Sequence, residues 1–399
     1  MGGACAPIRS PPGISGTGHP ARVYIPKPGK REKRPLGVPC VNDRALQRST
    51  AQVLSAIYEA DFLPCSFGGR PERGAHHALA TLNEVIAGGK VSWVLEADLK
   101  NFFGSLSHEW VLRFVEHRVG DPRMISLIRR WLKAGILEDG EVYPNEEGTP
   151  QGGSISVMLS NVYLHYVFDL WVQRWRTKFA TGQVIVVRYA DDFIVGFQHE
   201  ADARRFWDDM RKRFEEFSLS FNPDKTRLIE FGRFAADRRA QRGLGKPETF
   251  NFLGFTFICE RNSRGQFLVK RITRRDRMRA TLREIKDELR RRMHQPIPEQ
   301  GAWIEQVVRG FFAYHAVPTN GAALKAFYYY VERIWLRTLR RRSQKDRFSW
   351  QRMHRLAADW IPKPRILHPY PDKRFAVTHP RLEPCAGIPP ARIWAGGGQ

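Results

Sequence analysis

The stretch VIVVRYADDFIVGF, residues 184–197, places two adjacent carboxylates inside a strongly apolar run. Residues 184–187 and 193–197 are rich in β-branched and aromatic side chains, which predicts two strands. The residues YADD between them leave room only for a tight hairpin. Ionised side chains beside a buried sheet cost several kcal/mol unless a positive charge meets them. The pair is therefore either a turn that favours Asp or part of a cation site, and the rest of the chain must decide.

The chain is strongly basic. Its 399 residues include 65 Lys and Arg against 41 Asp and Glu, a net charge of +24, which points to a polyanionic partner such as nucleic acid or an anionic membrane surface. No apolar run approaches the roughly 20 residues that a membrane span needs. The N-terminus lacks the apolar segment of a secretory signal. We therefore expect a cytoplasmic protein, in the cytosol or nucleoid, that does not act at a membrane.

Cysteine and histidine spacing gives no sign of a metal or disulfide framework. The five cysteines are scattered without a CxxC pair, and the twelve histidines form no HExxH motif. This pattern argues against disulfides and against a structural zinc site. His76 and His77 open a predicted helix and are interpreted as surface or capping residues.

The order of predicted elements indicates an α+β protein followed by helices. Residues 1–20 are rich in Gly, Pro and Ser and are expected to be disordered or loosely draped. Up to about residue 260, short apolar runs alternate with amphipathic segments: strands over 91–99 and 250–260, and helices over 124–137, 155–175 and 201–219. Helices are then predicted over 270–295, 303–315 and 324–339. In the last of these, one face is apolar and is interpreted as the core of a helical bundle: Leu324, Phe327, Tyr328, Val331 and Trp335. The final 37 residues show no convincing element.

Two distant carboxylate positions could meet at one sheet edge. Asp98 ends the predicted strand VSWVLEAD, and Asp191 lies at the tip of the hairpin. If these strands belong to one sheet, their carboxylates converge. Two hard divalent ions about 4 Å apart, held by shared carboxylates, are what phosphoryl transfer needs. Such ions would also remove the cost of clustering the acids.

A triphosphate substrate also needs cations and close backbone approach. IPKPGKREKRPLGVP (25–39) reads as a hairpin and supplies five basic residues: Lys27, Lys30, Arg31, Lys33 and Arg34. Arg suits phosphate through its fork of donors, and Lys acts as a point charge. GTPQGGSIS (148–156) is a Gly-rich turn that enters a helix, which lets a nucleotide approach the backbone.

Taken together, these segments resemble the reverse transcriptases encoded by group II introns, also called maturases. The resemblance lies in seven blocks that occur in the family's order: KRPLGVPCVNDRALQ (33–47), CSFGGRPERGAHHAL (65–79), LEADLKNFF (95–103), GTPQGGSISVMLSNVYL (148–164), RYADDF (188–193), FNPDKTRLIEF (221–231) and FNFLGFTF (250–257). A lone YxDD is a common motif, but seven ordered blocks over about 230 residues are a specific signal.

The resemblance implies a right-hand polymerase, an α+β fold of fingers and palm followed by an all-helical thumb or maturase domain. The implied boundaries are 1–20 for the N-terminal segment, 21–262 for fingers and palm, 263–362 for the thumb and 363–399 for a Pro-rich tail. The implied activity is RNA-directed DNA polymerisation, in which two Mg²⁺ ions, or Mn²⁺ as a substitute, support extension of a DNA primer with dNTPs on an RNA template. Group II intron RNA is a further implied partner, bound to assist splicing and mobility.

The resemblance also implies roles for individual residues. Asp98, Asp191 and Asp192 would form the metal-binding triad, with the carbonyl of Leu99 as an extra ligand, although Asp192 could instead be a turn acid. Arg34 and one of Lys27 or Lys30 would hold the triphosphate, and Gln151 would contact the incoming nucleotide or the template. Phe103 and Lys225 are the other residues implied at the nucleotide site. Phe103 would be the aromatic gate against a ribose 2′-hydroxyl, with Phe102 as the competing assignment. Leu253 and Gly254 would grip the primer end.

The sequence departs from the family pattern in three places. Only about 25 residues precede IPKPGK, so we expect incomplete fingers. Gly104 replaces the usual acid after the gate, and no endonuclease module with His and Cys follows the thumb. These departures leave two alternatives to an intron-encoded polymerase: an RNA-binding splicing factor with weak or vestigial catalysis, or a host-adopted reverse transcriptase that is independent of any intron.

Overall fold

The computed structural model describes residues 19–26, 33–138, 141–149, 152–342 and 348–378. These residues form two compact units, one that extends to Phe234 and one that begins at Ala235. The first unit mixes strands and helices, and the second places a small sheet before a run of helices. The α+β class is therefore confirmed. The domain boundaries at 20, 262 and 362 stay predictions.

A four-stranded antiparallel sheet forms the centre of the first unit. Its strands, in spatial order, are β6 (Val184–Tyr189), β7 (Asp192–Phe197), β3 (Trp93–Ala97) and β8 (Arg227–Glu230). The predicted β6–β7 hairpin is confirmed, with Tyr189 paired to Asp192. Both of its strands are almost continuously buried, which explains why they show an apolar run instead of alternation.

The helices of the first unit surround this sheet. They are α1 (Val41–Tyr58), α2 (Ala75–Gly88), α3 (His108–Glu116), α4 (Pro122–Lys133), α5 (Ser156–Leu164), α6 (Leu170–Lys178) and α7 (Glu200–Glu215). The long helix predicted over 155–175 is confirmed as α5 and α6, which a π-helical segment (His165–Asp169) joins. The helix predicted over 124–137 is too long. It ends at Lys133 because the next residues pair as a strand.

A second sheet of the first unit contains the basic hairpin. Its order is β2 (Lys33–Val38), β1 (Ala21–Pro26), β4 (Ile136–Glu138) and β5 (Glu141–Tyr143). The hairpin predicted from IPKPGKREKRPLGVP is confirmed by antiparallel pairing from Ala21–Val38 to Pro26–Lys33. Strand β1 also runs parallel to β4, where Ala21 pairs with Leu137.

The second unit contains a helical core and a three-stranded sheet. The strands are β9 (Phe250–Phe252), β10 (Phe255–Arg261) and β11 (Phe267–Thr273). The single strand predicted over 250–260 is thus a hairpin, and β11 occupies the start of the helix predicted over 270–295. The helices are α8 (Ala235–Gln241), α9 (Arg275–Arg291), α10 (Ile297–His315), α11 (Gly321–Arg340), α12 (Trp350–Trp360) and α13 (Pro371–Thr378).

The apolar face of α11 lies in the core of this unit, as predicted. Leu324, Phe327, Val331 and Trp335 are buried with residues of α9, α10 and α12, and Tyr328 is partly buried against the same cluster. The expectation that the final 37 residues lack any element is wrong, because α13 begins at Pro371. Pro is favoured in the first turn of a helix, where its missing N–H is not needed. No helix of the described residues is both long and apolar enough to cross a bilayer.

Candidate active site

The central sheet brings the predicted carboxylates to one edge. Strand β3 pairs with β7 so that Ala97 lies opposite Phe193. Asp98 directly follows β3, Asp192 directly precedes Phe193, and Asp191 belongs to the two-residue turn between β6 and β7. The three aspartates are therefore neighbours at the end of two adjacent strands. The two strands do belong to one sheet, as the prediction required, and the convergence of the carboxylates themselves stays a prediction.

The turn that carries Asp191 has an unfavourable backbone. Ala190 has a φ of +55°, a left-handed conformation that costs an L-residue about 1–2 kcal/mol. Its carbonyl accepts a hydrogen bond from Nη1 of Arg188 at 3.0 Å. The strain is thus offset by a charged donor within the same hairpin.

Arg188 is buried together with an acidic partner from the π-helical segment. Its Nε and Nη2 donate to the two carboxylate oxygens of Asp169 at 2.8 and 2.5 Å, and both side chains are fully buried. Burial alone would lower the pKa of Arg188, but the attraction and hydrogen bonds of Asp169 outweigh it and raise the pKa above its ordinary value. The guanidinium also attracts Asp191 electrostatically. This pair was not predicted from the sequence. The available signal was that Arg188 and Asp169 are charged residues within otherwise apolar runs.

The segment CSFG (65–68) supports the hairpin from its other side. The amide of Arg188 donates to the carbonyl of Cys65, and the amide of Phe67 donates to the carbonyl of Arg188, at 2.8 and 2.9 Å. A Cβ at Gly68 would lie 2.4 Å from the amide nitrogen of Ala190, so only glycine lets the two backbones approach. Asn161 links this segment to the ion pair, because its Nδ2 donates to the Gly68 carbonyl at 2.7 Å and its Oδ1 accepts from Arg188 at 3.1 Å.

Asp98 is paired with Lys225. The ammonium of Lys225 lies 2.6 Å from Oδ2 of Asp98, and both side chains are partly exposed. The segment FNPDKT is held there by backbone bonds, since Asn222 donates its amide to the Asp98 carbonyl at 2.8 Å. Leu99 forms a bridge with Phe221. The hydrogen bonds of that bridge use the Asp98 carbonyl and the Lys100 amide, not the Leu99 carbonyl that the sequence proposes as a ligand.

Burial distinguishes the two gate candidates. Phe102 is only 3% exposed, whereas Phe103 is partly exposed beside it, with the rings 5.3 Å apart. The carbonyl of Phe103 accepts from the amide of Thr149 at 2.7 Å. This bond joins Phe103 to the Gly-rich turn, and of the two candidates only Phe103 has a partly exposed ring.

The Gly-rich turn is anchored before it reaches Gln151. The carbonyl of Gly148 accepts from Nε2 of His108 at 2.6 Å and from Nδ2 of Asn145 at 3.2 Å. Gly148 has a φ of +82°, and a Cβ there would meet the Phe103 carbonyl at 2.6 Å. Burial lowers the pKa of His108, although the Gly148 bond acts in the opposite direction. A neutral imidazole is therefore the donor at neutral pH.

The remaining predicted residues fall into two groups. Lys27, Lys30 and Gln151 lie outside the described residues, and Arg34 lies in β2 without a described side chain. Leu253 and Gly254 belong to the second unit, where they form the two-residue turn between β9 and β10. Both have positive φ, +46° and +80°, the pattern of a type I′ turn. The hydroxyl of Tyr314 donates to the Leu253 carbonyl at 2.9 Å.

The donor set at the sheet edge fits a hard divalent ion by chemistry. The carboxylates of Asp98, Asp191 and Asp192 and nearby carbonyls are the oxygen ligands that Mg²⁺ prefers. As they stand, no three His, Cys, Asp or Glu side chains of the described residues are grouped to hold a metal. The Lys225 ammonium contacts Oδ2 of Asp98, so a metal ion at Asp98 would bind the other carboxylate oxygen or displace this ammonium.

Comparisons with known proteins show the family of this chain. Residues 25–257 match the family described as reverse transcriptase (RNA-dependent DNA polymerase). Protein YkfC of Escherichia coli (strain K12) is 32% identical over 282 residues, which cover 62% of this chain and 69% of that protein. The group II intron-encoded protein LtrA of Lactococcus lactis subsp. cremoris is 37% identical over 158 residues, 40% of this chain but 26% of that protein. Among solved structures, apo telomerase from Candida tropicalis is similar with a TM-score of 0.49 and 12% identity, over 94% of this chain and 68% of that one.

The α+β fold and the family match define the class of right-hand polymerases, and the aspartates predicted for its metal site lie at one sheet edge. The chain belongs to the reverse transcriptase family, and its enzyme class is that of RNA-directed DNA polymerases. Its relatives include proteins that group II introns encode, so the resemblance stated from the seven blocks is confirmed. The right-hand polymerase class is confirmed with it.

Proposed function

We propose that this protein extends a DNA primer with dNTPs on an RNA template and that Asp98, Asp191 and Asp192 hold the two Mg²⁺ ions that the reaction needs. The observation that carries the proposal is the register of β3 and β7, which aligns Asp98 with the Asp191–Asp192 turn. When bound, such ions activate the attacking hydroxyl and stabilise the leaving pyrophosphate. The chain's own residues must hold these ions, orient the nucleotide and select its sugar.

Lys225 has a defined task in this scheme. In the structure it neutralises Asp98 at 2.6 Å, which limits the repulsion between the clustered acids. With cations bound at the aspartates, Lys225 would be available beside the site to the nucleotide, the role that the resemblance implies for it. Lys27, Lys30, Arg34 and Gln151 complete the proposed nucleotide contacts.

Phe103 and the Gly-rich turn form the proposed nucleotide-selecting wall. The Phe103 carbonyl accepts a hydrogen bond from the Thr149 amide. This bond ties the backbone that carries the aromatic ring to the Gly-rich turn. A ring at this place blocks a ribose 2′-hydroxyl by its volume. Leu253 and Gly254 remain the proposed primer grip.

Group II intron RNA is the further partner that we propose. The support is the similarity to intron-encoded proteins together with the basic face of α9. This helix exposes seven cationic residues: Arg275, Arg277, Arg279, Arg283, Lys286, Arg290 and Arg291. A dense row of Arg and Lys suits the phosphate backbone of RNA.

Primer extension on an RNA template tests the proposal. The parent protein is compared with Asp191→Ala, and Asp208→Ala on the exposed face of α7 serves as the matched control. We expect extension by the parent and the control, and a rate lower by about a thousandfold or more in Asp191→Ala, because a shared metal site loses a ligand. A parent that binds RNA but extends nothing would contradict the polymerase assignment and favour a splicing factor. Extension by Asp191→Ala at the parental rate would contradict the metal site.

A further inference from the structure

The buried ion pair between Arg188 and Asp169 makes contacts that a purely structural pair would not need. A buried salt bridge is often no better for stability than a well-packed apolar pair of similar volume. Here the guanidinium uses two nitrogens on Asp169 and directs Nη1 to the Ala190 carbonyl at 3.0 Å and to Asn161 at 3.1 Å. The Ala190 carbonyl belongs to the peptide that leads into Asp191.

Residues of three separate elements hold Ala190, either directly or through Arg188. Asp169 ends the π-helical segment, Asn161 lies in α5, and Gly68 lies in the segment before α2. Asn161 bonds both Arg188 and the Gly68 carbonyl, and a Cβ added at Gly68 would lie 2.4 Å from the Ala190 amide nitrogen. The left-handed Ala190 is therefore held on its carbonyl side by a charge and on its amide side by steric contact.

We propose that Arg188, held by Asp169 and Asn161, is a positioning residue that fixes the Ala190–Asp191 peptide and thereby sets the affinity of the Asp191 carboxylate for the metal ions. The inference rests on the proposed function of Asp191. The fully buried guanidinium does not touch the substrate. It acts through the backbone of the turn, as outer partners of metal ligands do in other sites.

The first test is Arg188→Lys, which keeps the positive charge. The single nitrogen of Lys cannot donate to both carboxylate oxygens of Asp169 and to the Ala190 carbonyl with the geometry of the guanidinium. We expect single-nucleotide extension to slow by about 10–100-fold and the half-saturating Mg²⁺ concentration to rise by a similar factor, as when outer partners of metal ligands are removed. RNA affinity should remain parental. Arg213→Lys is the matched control, because Arg213 donates to carbonyls of the same π-helical segment, Tyr166 and Val167, without a bond to the turn.

A second variant separates positioning from stability. Arg188→Met combined with Asp169→Leu replaces the ion pair with apolar side chains, a change that buried ion pairs often tolerate in folding. If positioning is the role, this variant folds, melts near the parental temperature and still shows the slow, Mg²⁺-demanding extension. If it extends at the parental rate with the parental Mg²⁺ dependence, the inference is wrong. Should the double variant fail to fold, the Mg²⁺ dependence of Arg188→Lys decides alone.

Gly68→Ala probes the same residue, Ala190, on its amide side. The new Cβ must displace the Ala190 amide, whereas Arg188 and Asp169 are not substituted in this variant. We expect the same rise in the Mg²⁺ requirement, whereas Gly120→Ala, where nothing lies within 4 Å of the added atom, should behave as the parent. An Asp191→Ala variant that extends normally overturns the proposed function itself. If Asp191→Ala is inactive but Arg188→Lys and Gly68→Ala both behave as the parent, the proposed function stands and only this inference is wrong.

Discussion

At the scale of single residues, two neighbouring phenylalanines have different environments. Phe102 packs into the core, and Phe103 remains partly exposed and shares a backbone hydrogen bond with the Gly-rich turn. The sequence left both as gate candidates because burial depends on tertiary packing. The difference in burial makes the two assignments separable by experiment.

Phe103→Ala should relax the sugar selection. Removing the ring opens space for a 2′-hydroxyl, so we expect the preference for dNTPs over ribonucleotides, measured as a ratio of kcat/KM, to fall by at least about tenfold. Phe102→Ala should instead lower the free energy of unfolding by about 3–5 kcal/mol and keep the sugar preference. The reverse pattern would assign the gate to Phe102.

Leu253→Asn should stabilise the second unit while weakening extension. Leu253 has a φ of +46° in a two-residue turn, where Asn followed by Gly is preferred. We expect the free energy of unfolding in denaturant to rise by up to about 1 kcal/mol, the order of the strain removed. If Leu253 grips the primer, extension should slow at the same time. Faster extension in the stabilised variant would argue against the grip.

At the scale of elements, the strands and helices that were predicted correctly are those whose residues show a clear local periodicity. The β6–β7 hairpin, the long helix through Asp169 and the apolar face of α11 follow from periodicity and are confirmed. The early end of α4 and the strand β11 were missed because strand pairing overrides helical preference. The Arg188–Asp169 pair was missed for a similar reason, since its 19-residue separation closes only in three dimensions.

The basic face of α9 should set the salt dependence of RNA binding. Arg279→Gln with Arg283→Gln removes two exposed charges one helical turn apart. We expect weaker binding and a shallower slope of log affinity against log salt, by about 0.7–0.9 for each phosphate that the helix no longer neutralises. Arg204→Gln on α7 is the control, because Glu200 already neutralises that arginine. An unchanged slope in the α9 variant would place the RNA elsewhere.

At the scale of the whole molecule, activity and folding should depend differently on metal. The Lys225–Asp98 pair already neutralises one of the acids without a metal. We therefore expect a chelator to stop extension while the thermal unfolding midpoint of the protein moves by only about a few degrees, and added Mg²⁺ to restore extension. A large loss of folded protein on chelation would show that the metal is structural.

The family assignment does not depend on the conformation of any one loop. It rests on ordered blocks and on the family match over residues 25–257, whereas the roles of individual residues depend on the geometry around one sheet edge. In the proposed mechanism, Asp98 and Asp191 hold the same metal ions. When two residues act as a unit, substituting both lowers the rate by less than the product of the two single effects.

The most direct measurement is a double-mutant cycle on the rate of single-nucleotide extension with Asp98→Ala, Asp191→Ala and the double variant. We expect each single change to cost about a thousandfold or more, and the double variant to be about as slow as either single one because the shared site is already disabled. Losses that multiply in the double variant would contradict a shared metal site, as would either single variant that extends at the parental rate.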